Sequence, residues 1–406
     1  MLLSMYWLAS FVEGLGVSQI TAFLPNRLTE VGVPADQVGH LVGLLGALFF
    51  VSGLPFIPLW GVWADKYSRK AVIIRSSLVE AAVFGLVAVS QLPWHLFVAM
   101  LLVGFQLGNS GVMMAAIRDV TPRHRLGLAM GLFAASSPLG FGTGPAIGAL
   151  MIDQLHLGSA AVFAMAGALS IGMALLLAVG SREVRPEVVP AGSTLRLAFG
   201  AVRGVMSDPT VRWLFGVYGL VFVGRQMSGQ YLALLVHDVE GSSLQVAGSV
   251  GLVLGLATIV GAALSPAGGW VADRLGFRRV LVLAIGGAAI AFAILPLAPD
   301  VAVLAVAYSL AVAFLAVVGA MVSGLLASEV PSERRSATLN LIYLPLYAGG
   351  IAGPAIGASI VSTGLRSVFV VAAGVLVAAT FLAVAFARRH AAPAESGGPE
   401  PEVAAE

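Results

Sequence analysis

GVWADKYSRK at Gly61–Lys70 and GWVADRLGFRR at Gly269–Arg279 are two versions of one motif, set 208 positions apart. The hexapeptide GPAIGA recurs unchanged at Gly144–Ala149 and Gly353–Ala358, 209 positions apart. Two unrelated motifs sharing one period make the chain a duplicated unit of roughly 200 residues. Both copies lie in strongly apolar sequence, and an internal repeat in such a setting marks a membrane protein built of two like halves.

Composition leads to the same place. With 59% apolar and 10% charged residues, and a mean hydropathy of +0.97, a chain of 406 residues has too little polar surface to cover a water-soluble body. A hydrocarbon core about 30 Å thick needs about 20 apolar residues per helix. Such runs are read at 2–25, 37–63, 71–91, 94–117, 127–151, 159–180, 210–236, 244–271, 279–297, 300–327, 336–362 and 367–387. The expected fold is therefore an all-α membrane protein, twelve transmembrane helices in two pseudo-symmetric six-helix bundles. The expected parts are an N-terminal bundle (1–180), a cytoplasmic linker (181–209), a C-terminal bundle (210–387) and a disordered tail (388–406).

Lys and Arg collect on the cytoplasmic side of membrane proteins. With the N-terminus inside, the inner connections gather Lys66, Arg69, Lys70, Arg118, Arg123, Arg125, Arg182, Arg185, Arg274, Arg278, Arg279, Arg334 and Arg335, whereas the outer ones hold only Arg27 and Arg366. Both termini are thus expected in the cytoplasm, with the chain in the plasma (inner) membrane. The linker segment STLRLAFGAVRGVM places Leu195, Phe199, Val202 and Met206 on one helical face and Arg196 and Arg203 on another, the pattern of a short helix lying on the inner leaflet. Asp208 and Pro209 read as the cap and first turn of the seventh span. The first helix lacks a basic leader and cleavage site before Glu13 and is read as retained. A net charge of +2 and the absence of a basic-aromatic stripe point to no nucleic-acid partner. There is no cysteine, the histidines lack metal-ligand spacing, and no nucleotide loop or nucleophile motif appears. No metal and no cofactor are expected, and energy should come from an ion gradient.

Gly61, Asp65, Lys66, Arg69 and Lys70, with their copies Gly269, Asp273, Arg274, Arg278 and Arg279, resemble the GxxxD(R/K)xG(R/K)(R/K) signature of the major facilitator superfamily. The resemblance implies an inner gate, with Asp65 meeting a helix N-terminus of the opposite half and Arg69 pairing with Asp119. Gly131, Gly140, Gly144, Pro145 and Gly148 look like the antiporter motif of the drug-proton exporters in that superfamily; a plain small-residue packing seam is the other reading. Glu13, Gly16 and Pro25 match the acidic-x-x-Gly-x8-Pro pattern of the first helix in tetracycline and multidrug exporters. One departure stands out. Those exporters carry an Arg in the fourth span four residues before a Gly, and here Gly104 precedes Gly108.

Glu13, Glu80 and Arg225 lie deep in apolar runs, where ionisable groups usually face a pathway; for Glu80, on a helix that lies outside the cavity in the resembling fold, an interhelical contact is the other reading. Arg75, nearer a helix end, is read as snorkelling. The repeat offset sets Arg225 at the level of Val17, about 6 Å along the helix from Glu13, so an ion pair across the halves and an Arg satisfied within its own half are both open. A pair that forms and breaks would load and release a proton. Candidate cavity groups are Gln19, Gln106, Asn109, Gln226, Gln230, Tyr231, Tyr308, Asn340, Tyr343 and Tyr347, with an interhelical hydrogen bond as the other reading of each. The sparse polar lining suits an amphipathic or hydrophobic compound. The expectation is a monomeric proton-coupled exporter of such compounds, with protons, a small-molecule substrate and the lipid bilayer as its partners. A carrier for a dedicated metabolite or lipid, or a receptor built on a transporter fold, are the alternatives.

Overall fold

A computed structural model describes residues 2–186, 191–241, 246–329, 341 and 344–389, and among these there is helix and no strand. The first half contains α1 (Leu2–Glu30), α2 (Ala35–Val51), α3 (Ile57–Lys66), α4 (Arg69–Ala88), α5 (Pro93–Val103), α6 (Asn109–Val120), α7 (Leu126–Ala149) and α8 (Ser159–Gly180). An amphipathic α9 (Thr194–Met206) follows, then α10 (Pro209–Glu240), α11 (Val246–Leu275), α12 (Phe277–Ile294), α13 (Val301–Glu329), α14 (Leu344–Ile360) and α15 (Leu365–Arg389). Eight of these are long and apolar enough to cross a membrane outright. The second and fourth spans, expected to be continuous, are each two helices: α2 with α3, and α5 with α6.

Those two breaks touch. Pro55 and Pro58 interrupt the second span, Gly104 and Gly108 the fourth, and Gly108 takes φ +95°, which only glycine adopts without strain. Ser52 Oγ donates to the Leu101 carbonyl at 2.6 Å. A side chain at Gly104 would run into Ser52 and the Gly53 backbone. This explains the departure in the motif: position 104 has no room for an arginine.

The two halves repeat one packing plan. α1 lies on α7 and α8, as α10 lies on α14 and α15. The halves meet where α7 packs on α11 and α2 on α14. Lipid tails are as apolar as leucine, so close backbone approach has to supply the packing energy. Gly140 and Gly144 press against the α1 backbone around Phe11 and Leu15, and Gly148 against Phe23. In the second copy Gly349, Gly353 and Gly357 press against Phe222, Val223 and Tyr231 of α10. The repeated hexapeptide is thus the seam holding each half's central helix pair. Gly131 is outside it, with open space at its Cα.

Helix ends are closed as the sequence suggests: Asp208 Oδ1 accepts from the Thr210 and Val211 amides at 2.8 and 3.3 Å, with Pro209 in the first turn. The two outer arginines are capping groups. Arg27 donates to the Val87 and Ala88 carbonyls at the end of α4 and to Ser90, and pairs with Glu30 at 2.9 Å. Arg366 donates to the Pro296 carbonyl at 3.0 Å and pairs with Asp238 at 3.1 Å. Cations suit helix C-termini, so each outer arginine has a structural role in its own half.

Candidate functional site

Among the described residues, the hydrogen bonds and close glycine contacts between the halves lie toward one end of the spans. On one side His40 Nδ1 lies 3.0 Å from the Ala358 carbonyl, and Gly39, Gly43 and Gly46 of α2 face Val361, Tyr231, Pro354 and Gln230. On the other, Gly142 and Gly255 meet backbone to backbone, Gly251 faces the Pro145 carbonyl, and Asp153 Oδ2 accepts from the Gly248 amide at 2.7 Å. Asp153 therefore caps the first turn of the opposite half's α11, where a negative charge meets the positive end of the helix. Gly61 and Gly269, at the inner ends, have open space. The two halves therefore meet at the end of the spans that carries His40 and Asp153.

In the inner motif Asp65 pairs with Arg69 at 2.9 Å within its own half, and among the described residues no hydrogen bond or ion pair joins it to the other. Arg69, only 2% exposed, also pairs with Asp119 at 2.7 Å, as expected, and Asp119 with Arg118 at 3.1 Å. Lys70 donates to the Ala178 and Ser181 carbonyls, closing the end of α8, and Lys66 to the Gly192 carbonyl of the linker. Glu183, which sequence reasoning passed over, accepts from the Arg69 amide at 2.9 Å and from Ser68 Oγ, and so caps α4. In the second copy Arg274 stacks 3.8 Å over Trp270 and Arg278 lies over Phe386, while Asp273 and Arg279 are exposed.

Burial raises the Asp119 carboxyl, but the bonds from Arg69 and Arg118 outweigh it and hold the group below its ordinary value of 3.8. A depressed native value means stability that is complete above about pH 4 and is lost as pH falls through the lower native value. The cluster is therefore ionised across the physiological range. Asp119→Asn should cost about 2 kcal/mol by leaving Arg69 with one partner. Thermal unfolding in detergent should then show an acid-side decline below pH 4 in the wild type that is much reduced in the variant.

Deeper in the first half, four helices bring the acids together. Asn109, at the start of α6, donates to Glu13 Oε2 at 3.0 Å. Glu80 on α4 is 3% exposed and sits beside Gly16 of α1, one turn from Glu13, with Ser170 of α8 and Gln106 alongside and Glu13 within electrostatic range. Arg75 does not snorkel. One of its Nη atoms donates to the Gln106 and Leu107 carbonyls at 3.2 and 3.1 Å, groups freed by the break in the fourth span, and its guanidinium lies 3.6 Å over the Trp60 ring. It is the cation within electrostatic range of Glu13.

Arg225 is not that cation. It is exposed halfway along α10, near Phe222 and within range of Tyr308 of α13, and among the described residues no hydrogen bond or ion pair joins it to Glu13. Several other candidates sit in packing seams. Gln19 is fully buried and donates to the Gly144 carbonyl at 2.8 Å. Tyr231 is wedged between Gly43 and Gly357, Gln230 lies against Gly46, and Tyr347 meets Phe50 edge-on with ring centres 5.8 Å apart, all within the outer seal. Gln226 and Tyr308 are half-buried. Asn340 and Tyr343 lie outside the described residues. Gly131 apart, the glycines of the antiporter motif form the seam with α1, and Pro145 presents its carbonyl to α11.

The Major Facilitator Superfamily sequence model matches residues 6–262 and 247–405. The chain is similar to the multidrug resistance protein MdtG of Klebsiella pneumoniae (strain 342), with 28% identity over 97% of this chain and 95% of the relative. It is also similar to the multi-drug resistance efflux pump PmrA of Streptococcus pneumoniae serotype 4, with 27% identity over 94% and 92%. In fold it resembles a mutant of the nucleoside transporter NupG, with a TM-score of 0.81 and 15% identity over 95% of this chain and all of that one. It likewise resembles a bacterial homologue of the human lysosomal transporter Spinster in an inward-facing, occupied conformation, with a TM-score of 0.76 and 18% identity over 95% and 96%.

Proposed function

This chain belongs to the major facilitator superfamily, and on that footing we propose that it is a proton-coupled secondary exporter of small amphipathic or hydrophobic compounds. It works by alternating access, as a monomer with both termini in the cytoplasm, and draws on the proton gradient without a cofactor. The observation that carries this reading is the acid pair Glu13 and Glu80, held inside a membrane-spanning bundle whose two halves meet at one end of the spans. Ionisable groups at that depth are costly and belong to pathways. Protons reaching the pair from one side and leaving it to the other would couple to exchange of the two seals, with 1–180 and 210–387 as the moving units and 181–209 as their tether. The relatives named as multidrug resistance proteins support export and a broad substrate class.

The test uses the full chain in proteoliposomes with a fluorescent amphipathic cation as probe. Efflux of the probe should be accompanied by opposite proton movement, and an imposed pH gradient should drive the probe uphill. Probe movement with no associated proton flux would overturn coupling. Transport restricted to one nucleoside or peptide would replace the broad-substrate reading with a dedicated carrier.

A further inference from the structure

Around Glu13 the polar atoms of Arg75 are under-used. Its Nε and one Nη are buried without a hydrogen-bond partner among the described residues, as is the indole Nε1 of Trp60 beneath it. Unused buried donors cost free energy, and a second arrangement that used them would recover it. Trp60 belongs to α3, next to Gly61. Its ring meets Trp63 edge-on at 6.4 Å, and Trp63 tilts against Tyr67 at 5.3 Å, along the same segment that carries Asp65 and Lys66. Arg75 thus touches the gate segment while facing the acids. α3 is joined to α2 only through the break at 52–56, has open space at Gly61 and packs on α4, α6 and α9.

We propose that Arg75 is a positioning residue that carries the protonation state of Glu13 and Glu80 to α3. With the acids neutral, the guanidinium rests on Trp60 and the Gln106 and Leu107 carbonyls. With Glu13 ionised, it is drawn off the indole toward the carboxylate, and α3 with its gate motif is released. An arginine suits this role because it stays charged throughout, stacks on an aromatic face and has donors left over for a carboxylate. The groups around it are few: Glu13 from α1 is the titratable group within electrostatic range, Glu80 follows five residues on along its own helix, the turn between α5 and α6 adds the Gln106 and Leu107 carbonyls, and α3 adds the Trp60 ring. The inference rests on the reading of Glu13 as a proton site.

The experiment places spin labels at Val62→Cys on α3 and Leu275→Cys on α11, in a chain with no native cysteine. Distances are read in nanodiscs from pH 5 to 9, with proton uptake followed in parallel by an indicator dye. The wild type should show a pH-dependent distance change. Arg75→Gln should still take up protons, while the amplitude of that change falls about fivefold. Trp60→Leu, which keeps Arg75, should behave alike, and Trp60→Phe, which keeps a ring face, should restore much of the change. If Arg75→Gln does not fold, Trp60→Leu decides. A full distance response in Arg75→Gln and Trp60→Leu overturns the proposal and leaves Glu13 in place. Loss of proton uptake in both variants also overturns it, since the residues would then act on the acids alone. A wild type with neither proton uptake nor distance change overturns the Glu13 reading itself.

Discussion

Glu13→Gln is expected to bring gradient-driven accumulation down to the equilibrium ratio of about one. A proton moving through 100 mV supplies about 2.3 kcal/mol, enough for a roughly fiftyfold substrate gradient, and a glutamine that cannot load or release that proton forfeits all of it. Gln fills nearly the volume of Glu and can still accept from Asn109, which donates to this position at 3.0 Å. Folding, substrate binding and downhill exchange should therefore survive. Pairing counterflow with uphill transport in proteoliposomes separates the two. Uphill export with an unchanged proton dependence in Glu13→Gln would move the coupling site to Glu80, the other acid in the same cluster.

The second large effect is expected at Gly144. A side chain there meets Ser18 Oγ and the Leu15 backbone, and backbone cannot step aside as a flexible side chain can. Gly144→Leu should therefore cost about 3 kcal/mol or more, seen as a lower unfolding temperature and loss of transport as α1 and α7 are forced apart. Gly131→Leu, on the same helix but with open space around it, should leave unfolding temperature and transport close to wild type. Equal damage from both would mean that the motif works by flexing rather than by contact.

The contrast between those two glycines shows what could be read before the structure was in hand. The repeat and the twelve spans follow from spacing and composition, because lipid forces length, apolarity and charge placement on every span, whereas the Arg69–Asp119 pair came with the family resemblance. The breaks at 52–56 and 104–108 were hidden, because Gly and Pro inside apolar runs are as common in unbroken membrane helices as in broken ones. The repeat offset gives Arg225 a depth along its helix but leaves its facing open, and Arg225 lies within electrostatic range of Tyr308. Arg75 was missed for a related reason: nearness to a helix end suggests snorkelling, and nothing local says that the neighbouring span has left two carbonyls unpaired at that depth. Gln19 and Tyr231 read as cavity groups, while their glycine partners stand more than a hundred residues away. The inner motif names its residues and not its state, since one sequence encodes the contacts of both faces and a structure displays one of them.

The outer seal has a consequence for the energetics of switching. Its contacts are made largely by Gly39, Gly43 and Gly46 on one side and by Gly142, Gly251 and Gly255 on the other. Burying glycine freezes no rotamers, whereas a long side chain gives up as much as about 2 kcal/mol of side-chain entropy. The side chains ordered on closure are then mainly those opposite the glycines, such as Gln230 and Tyr231, so a closing contact of this kind orders one side chain where a contact between two long residues would order two.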